Sequence, residues 1–305
     1  MSKKSGFWTV LALVLVLLLS WHFLIKPYNY RISFVTKDPA GLVYSNLGAW
    51  LAIPGETDSS SVELISRVPY ESYQQKVRLK DSLFEYRWEI EPETDSTTRV
   101  TAYITDLNNT WVQNFYAPVF KTDFVKRSIS TVEDLATEWV NYRERYRVNE
   151  ITVGQVDARF CAYVSVKTTA KQKARTMMGN IADVMGYINS NELELQGDPF
   201  LQVTQWDQKT DSITFDFCFP IKRSDSLAAS PIVKFKEVQA FSGIKTIFNG
   251  NYSISEKSWY WLLRAAENKN LEVEALPFEV YKSDPHMGGD ALKWEAEIYL
   301  PLKNQ

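Results

Sequence analysis

Histidine is almost missing from this chain, with only His22 and His286 among 305 residues. That scarcity excludes a histidine-rich metal site and leaves no Ser/His or Cys/His catalytic pair to assemble. No metal and no cofactor is expected. Cysteine is equally sparse, and Cys161 and Cys218 both fall in strand-like runs. They are either two small buried residues or one disulfide, the latter requiring an oxidising compartment. A basic excess is also lacking: 34 Lys and Arg stand against 37 Asp and Glu, for a net charge of −3. Such a surface does not neutralise phosphates, so nucleic acid is not an expected partner. The chain has no P-loop, no Gly-x-Gly-x-x-Gly, no Cys-x-x-Cys and no His-Glu-x-x-His. Residues 29–150 contain no pair of short adjacent helices with a basic surface, which excludes a helix-turn-helix module there.

Aromatic residues are abundant instead, at 14% of the chain, and 45% is hydrophobic. The first feature is an apolar run from Phe7 to Ile25 behind Lys3 and Lys4. At ~1.5 Å per helical residue its nineteen positions reach about 28 Å, enough for a bilayer core. Trp8 and Trp21 suit the two interfaces. The run ends in the bulky "SWHFLIKP" rather than in the small residues of a cleavage site. The expectation is therefore an uncleaved single-pass anchor over residues 1–28, with the lipid bilayer as partner through 7–25. Lys3, Lys4 and the amino group favour a cytoplasmic N-terminus and an extracytoplasmic bulk. Lys26, Arg31 and Lys37 on the other flank favour the reverse, and the expectation is an extracytoplasmic bulk, with a cytoplasmic one as the alternative.

Residues 29–150 begin with the strand "YRISFVTKD" and a short helix candidate "AGLVYSNLGAWL". The runs "SVELISRVPYESYQQKVRLKDS", "LFEYRWEIEPE" and "TTRVTAYITDL" follow as strands, with "DSLF" and "ETDSTT" as turns. From Thr122 the pattern turns helical: Phe124, Val125, Ile129, Val132, Leu135, Ala136, Trp139 and Val140 recur at three and four. A strand, a short helix, several antiparallel strands and a long closing helix make an α+β layout. This order resembles the START-like (SRPBCC) helix-grip fold, carried by "FEYRWEIEP…STTRVTAYIT" and "DFVKRSISTVEDLATEW". The resemblance implies a cavity between sheet and helix for an apolar ligand.

Residues 151–305 repeat themselves. "DPFLQVTQWDQKTDSITFDFCFPI" (198–221) lies over "LPFEVYKSDPHMGGDALKWEAEIYLPL" (276–302), so that Phe200 matches Phe278 and Pro220 matches Pro301. A strand and a helix precede each copy: "DARFCAYVSVK" with "KARTMMGNIADVMGYINSN", and "EVQAFSGIKTIF" with "SEKSWYWLLRAAENK". The unit is strand–helix–strand–strand, twice. The run "GNYSISEKSWYWLLRAAENKNLEV…LPFEVYKSDP…WEAEIYLPL" is similar to the effector-binding domain at the C-terminus of AraC-type regulators, the gyrase-inhibitor-like family. That resemblance implies two pseudo-symmetric copies forming a groove for a small molecule. It places the acid four residues before the final Pro, Glu297, in that groove. The first copy departs from the pattern: it lacks the Gly-x-Tyr turn and has Asp216 where the second has Glu297.

On the final strand Trp294, Ala296, Ile298 and Leu300 share one face, and Glu295, Glu297 and Tyr299 the other. A carboxylate in an aromatic cleft is poorly solvated, and it either stays charged against a cationic guest or becomes a weak acid. Tyr163, Trp206, Tyr252, Tyr281 and Tyr299 are the candidate walls. The reading is a small-molecule-binding protein for an amphipathic or cationic ligand, a sensor or scavenger at the cell envelope. One alternative is a hydrolase with Glu297 as general base and Tyr299, Tyr252 or Tyr281 as proton partner. The other is a structural protein whose aromatic faces meet an envelope partner.

Overall fold

Alternation builds the first half of the chain. Phe84, Tyr86, Trp88 and Ile90 fall on one face of β4 (Ser82–Thr94), and burial alternates with them. The computed structural model describes residues 3–21, 26–49, 60–79, 82–224 and 227–303. It divides into two compact units, Met1–Trp139 and Val140–Gln305. Its class is mixed α+β with antiparallel sheets and, among the described residues, six α-helices.

The first unit holds a five-stranded antiparallel sheet. β4 pairs with β5 (Thr97–Asp106), β5 with β1 (Tyr30–Thr36), β4 with β3 (Ser72–Leu79) and β3 with β2 (Ser60–Val68). The run from Ser61 to Ser82, written as one strand from sequence, is two. Tyr70 takes φ 65° in a tight turn after Pro69, so the chain reverses there. α2 (Ala40–Ala49) buries Leu42, Val43, Tyr44 and Leu47, and α4 (Asp123–Arg143) buries Phe124, Val125, Val132, Leu135 and Trp139 in the same unit. α4 departs from its expected face at two places: Ser128 is buried and Val140 is exposed. α3 (Thr110–Tyr116) links β5 to α4.

The N-terminal helix α1 (Lys3–Ser20) is apolar, with exposed side chains from Phe7 to Leu17. Among the described residues no helix is long and apolar enough to cross a membrane, so the transmembrane expectation is not supported. The end of the expected span, 22–25 with His22, lies outside the described residues. So do the end of the expected second helix, 50–51, and the first residue of the expected turn "DSLF", Asp81, whose remaining residues 82–84 instead open β4.

The second unit is one antiparallel sheet of nine strands. Its central order is β8 (Arg159–Thr169), β10 (Ser212–Pro220), β9 (Phe200–Asp207), β13 (Phe278–Tyr281), β14 (Glu295–Pro301) and β12 (Phe241–Gly250). The chain visits β8, helix α5 (Lys173–Ser190), β9 and β10, then β12, helix α6 (Lys257–Asn268), β13 and β14. Equivalent strands thus occupy mirrored places, with β9 and β13 pairing at the centre. β11 (Lys234–Val238) pairs with β8 at one edge, whereas β6 (Tyr146–Val148) and β7 (Thr152–Val156) pair with β12 at the other. The run "EVQAFSGIKTIF", written as one strand, breaks after Val238 because its two halves join opposite edges. Ala162, Val164, Leu201, Phe215, Phe217, Ile244, Ala296, Ile298 and Leu300 face one side and pack with Val184, Ile188, Trp259 and Leu262 of the two helices. Cys161, Phe200, Cys218, Phe278, Val280 and Tyr299 face the other.

Candidate functional site

The sheet itself decides which candidate residues can meet. Successive side chains on a strand point to opposite faces, so a one-residue offset moves a side chain across the sheet. The eight candidates named from sequence divide accordingly. Tyr252, Tyr281 and Trp206 join the helix-covered core. Tyr299 and Tyr163 join the opposite cluster, and Glu297, Glu295 and Asp216 alternate onto that side with them. The single groove expected from the repeat is two faces of one sheet.

On the face without helices, Glu297 is already satisfied by its own chain. Lys245 Nζ donates to it at 2.6 Å, Lys282 Nζ is 3.8 Å away, and Tyr299 OH donates at 3.0 Å. Burial pushes the Glu297 carboxyl up, but the Lys245 hydrogen bond and charge, then Lys282 and Tyr299, outweigh it and hold the group below its ordinary range. This corrects the expectation of a poorly solvated carboxylate awaiting a guest. Asp216 is paired in the same way with Lys236, which also donates to Gln202 at 2.6 Å. The two ammonium groups sit over tyrosine rings, Lys236 over Tyr163 at 4.8 Å and Lys245 over Tyr299 at 5.3 Å. Glu295 is exposed. Cys161 and Cys218 are both buried and are unbridged in this structure.

The helix-covered face holds a charged cluster that the sequence reading passed over. Glu279 on β13 has no exposed surface. It accepts hydrogen bonds from Ser255 Oγ (2.7 Å), Tyr281 OH (2.7 Å) and Trp259 Nε1 (2.6 Å). Lys173, at the start of α5 and equally buried, lies 3.8 Å from Glu279 and 3.5 Å from Glu256. Its ammonium donates to Tyr252 O (2.8 Å) and Ser255 Oγ (2.7 Å) and sits 5.9 Å from the Trp259 ring centre. One buried cation therefore serves two buried carboxylates.

Local structure explains how these groups converge. Gly250 takes φ 155°, and a Cβ there would meet Tyr146 Cβ at 2.8 Å and Phe248 Cζ at 2.9 Å. The turn after it is capped by Asn251, whose side chain accepts from Ser253 N at 2.9 Å. Tyr252 donates its OH to Glu295 O at 2.6 Å, which pins the turn to the sheet. Ser255 and Glu256 then lead into α6, whose Trp259 reaches back to Glu279.

Burial, and next the Glu279 charge, push the Tyr281 phenol well above its ordinary value, so it remains a donor. Burial pushes Glu256 up as well, against the pull of Lys173 and Lys257. Aromatic rings surround the cluster: Tyr252 lies 4.9 Å from Tyr281, and Trp206 lies 5.2 Å from Trp259, centre to centre. The sequence did carry a signal for Glu279. Under the Phe200–Phe278 match its counterpart is Leu201, so one copy puts an acid where the other puts a leucine. Among the described residues no cluster of His, Cys, Asp and Glu could hold a metal ion.

Residues 150–303 match the profile of the GyrI-like small molecule binding domain. No curated protein matches the chain. Several solved structures resemble it. The EcmrR C-terminal domain is 14% identical, with 51% of this chain and 98% of that one covered at a TM-score of 0.43. SAV2435 bound to tetraphenylphosphonium is 14% identical, with 51% and 95% covered at 0.36. A hydrolase from Listeria innocua is 13% identical, with 50% and 92% covered at 0.32.

Proposed function

Because this chain belongs to the family of GyrI-like small molecule binding domains, matched over 150–303, we propose that it binds a cationic amphipathic small molecule through Glu279. The observation that carries this is the buried environment of Glu279. It has no exposed surface, shares the Lys173 ammonium with nearby Glu256, and is otherwise held by the neutral donors Ser255, Tyr281 and Trp259. Buried charge is costly unless paired, and a carboxylate held by a shared ammonium and neutral donors favours a second cation. Tyr281, Tyr252, Trp206 and Trp259 supply the apolar and π surface that favours an organic cation. Since Glu279 has no exposed surface, a guest reaches it only as Lys173 or the segment carrying Ser255, Glu256 and Trp259 gives way.

The hydrolase reading is weaker. A general base must be free to take a proton, and Glu297 is held charged by Lys245 and Lys282. The proposal also keeps the chain at a membrane through the apolar run 7–25, with the bulk outside the cytoplasm. It reads the first unit as a START-like (SRPBCC) domain. The length of the run supports the former, and the antiparallel sheet with α4 packed on it supports the latter.

The test uses tetraphenylphosphonium as a lipophilic cation. Glu279→Gln is expected to weaken its binding by roughly tenfold to a hundredfold, about 1.4–2.8 kcal/mol. Glu297→Gln, on the other side of the sheet, is expected to leave it unchanged. Binding that falls with Glu297→Gln and survives Glu279→Gln overturns the assignment.

A further inference from the structure

The stretch between β5 and α4 exposes what a folded chain ordinarily hides. Residues 107–122, "LNNTWVQNFYAPVFKT", contain no acid and a single lysine, Lys121. Asn114 and Ala117 turn inward and are buried. Trp111, Val112, Phe115, Tyr116, Val119 and Phe120 turn outward, each between 46% and 74% exposed. Their rings lie together: Phe115 is 5.2 Å from Tyr116, and Tyr116 is 6.0 Å from Phe120. Scattered exposed hydrophobic side chains need no explanation, but six within ten residues form a patch that does.

Its place in the fold says what covers it. Asn29 is buried and fixes the chain entry to the base of this segment. Its Nδ2 donates to Thr110 O (2.9 Å) and Asn114 Oδ1 (2.7 Å), and its Oδ1 accepts from Asp106 N (2.8 Å). The apolar run ends at Ile25, four residues earlier, so at ~3.5 Å per residue the two lie within about 14 Å. The opposite end of the same unit differs in kind. The hairpin tip at Asp95 and Ser96 lies ten residues of β5 away, about 33 Å at ~3.3 Å each. It carries Glu91, Glu93 and Asp95, all exposed. One pole of the unit carries this aromatic segment, and the other carries Glu91, Glu93 and Asp95.

We propose that Trp111, Val112, Phe115, Tyr116, Val119 and Phe120 seat the first unit in the interfacial layer of a lipid bilayer. Trp, Tyr and Phe favour that layer because each has an apolar body, and Trp and Tyr also keep a polar tip in water. The only charge within the segment, Lys121, suits anionic headgroups. The inference rests on the membrane reading of run 7–25, which delivers the patch to the surface.

The experiment labels the full chain at Val119→Cys with an environment-sensitive fluorophore. Cys161 and Cys218 are buried and leave the new thiol selective. A second labelling site, Ser96→Cys, marks the acidic pole, and Phe120→Cys repeats the reading one residue on. Vesicles of phosphatidylcholine and phosphatidylglycerol with brominated acyl chains are added, and flotation reports association. The expected result is co-flotation, with quenching several-fold deeper at 119 and 120 than at 96. Co-flotation with equal quenching at all three overturns the patch and leaves the membrane reading standing. Failure to float overturns both. A label at 119 that is already blue-shifted without lipid and indifferent to bromine marks a protein contact, and also overturns the proposal.

Discussion

Replacing Lys173 with methionine isolates the energetics of the Glu279 cluster. Methionine keeps most of the side-chain volume and removes the ammonium that lies within 4 Å of both buried carboxylates. At an effective dielectric of about 20, unit charges 3.5 and 3.8 Å apart attract by roughly 4–5 kcal/mol each, before desolvation and carboxylate repulsion are subtracted. Stripping the partner from a buried ion pair costs about 3–5 kcal/mol, and Lys173→Met is expected to fall in that range. Glu279→Gln is expected to cost less, roughly 1–2 kcal/mol, because it leaves one ammonium with one carboxylate and keeps an oxygen for Trp259. The double variant is expected to cost less than the sum of the two, since the groups are coupled. The cost of Lys173→Met is also expected to shrink as pH falls. Burial already raises the Glu256 carboxyl, and without Lys173 it takes up a proton more readily in the folded than in the unfolded chain, which favours the folded state on the acid side. Urea unfolding of the full chain followed by near-ultraviolet circular dichroism, with the second unit's transition fitted by itself, reads all four quantities. Equal costs for the two single variants, or the reverse order, would refute the reasoning that Lys173 holds both carboxylates.

Two further outcomes follow from single residues. Gln75 is fully buried on β3 and, among the described residues, neither amide atom has a hydrogen-bond partner, so Gln75→Met is expected to stabilise the first unit by about 1–3 kcal/mol in the same urea assay. The Glu297 carboxyl is held below its ordinary value of about 4.3, so its contribution is present above that pH and lost as pH falls through the lowered value. Glu297→Gln should therefore lower stability in the neutral region, leave it little changed at low pH, and so flatten the acid limb of the stability–pH profile. An unaltered acid limb would show that the Lys245 pairing contributes nothing.

Much of the architecture was legible because period and punctuation are local. The strands of the first unit followed from alternation, the face of α4 from recurrence at three and four, and the repeat from matched Pro-Phe and Pro positions. Errors fell where distant parts intervene. The break between β11 and β12 has no strong local signal, because both halves have strand composition and part only because β8 and β14 lie at separate places in the sheet. Val140 fits the helical stripe by spacing yet ends exposed.

The site was less legible, and the reason is geometric. Aromatic excess, the acid at 297 and its counterpart at 216 were plain in the sequence, as was the tyrosine at 281. Two things were not. Spacing does not say that Lys245 and Lys282, 52 and 15 positions away, would saturate Glu297. Nor does it say that Lys173, Glu256 and Glu279 would meet across more than a hundred positions. The sequence by itself determined which side chains alternate together on each strand, because strand period is a property of the backbone. Only the tertiary structure decided which face each helix covers, and hence which carboxylate keeps its water and lysines and which is buried beside a shared ammonium, because desolvation depends on what packs above a side chain and not on its neighbours in the chain.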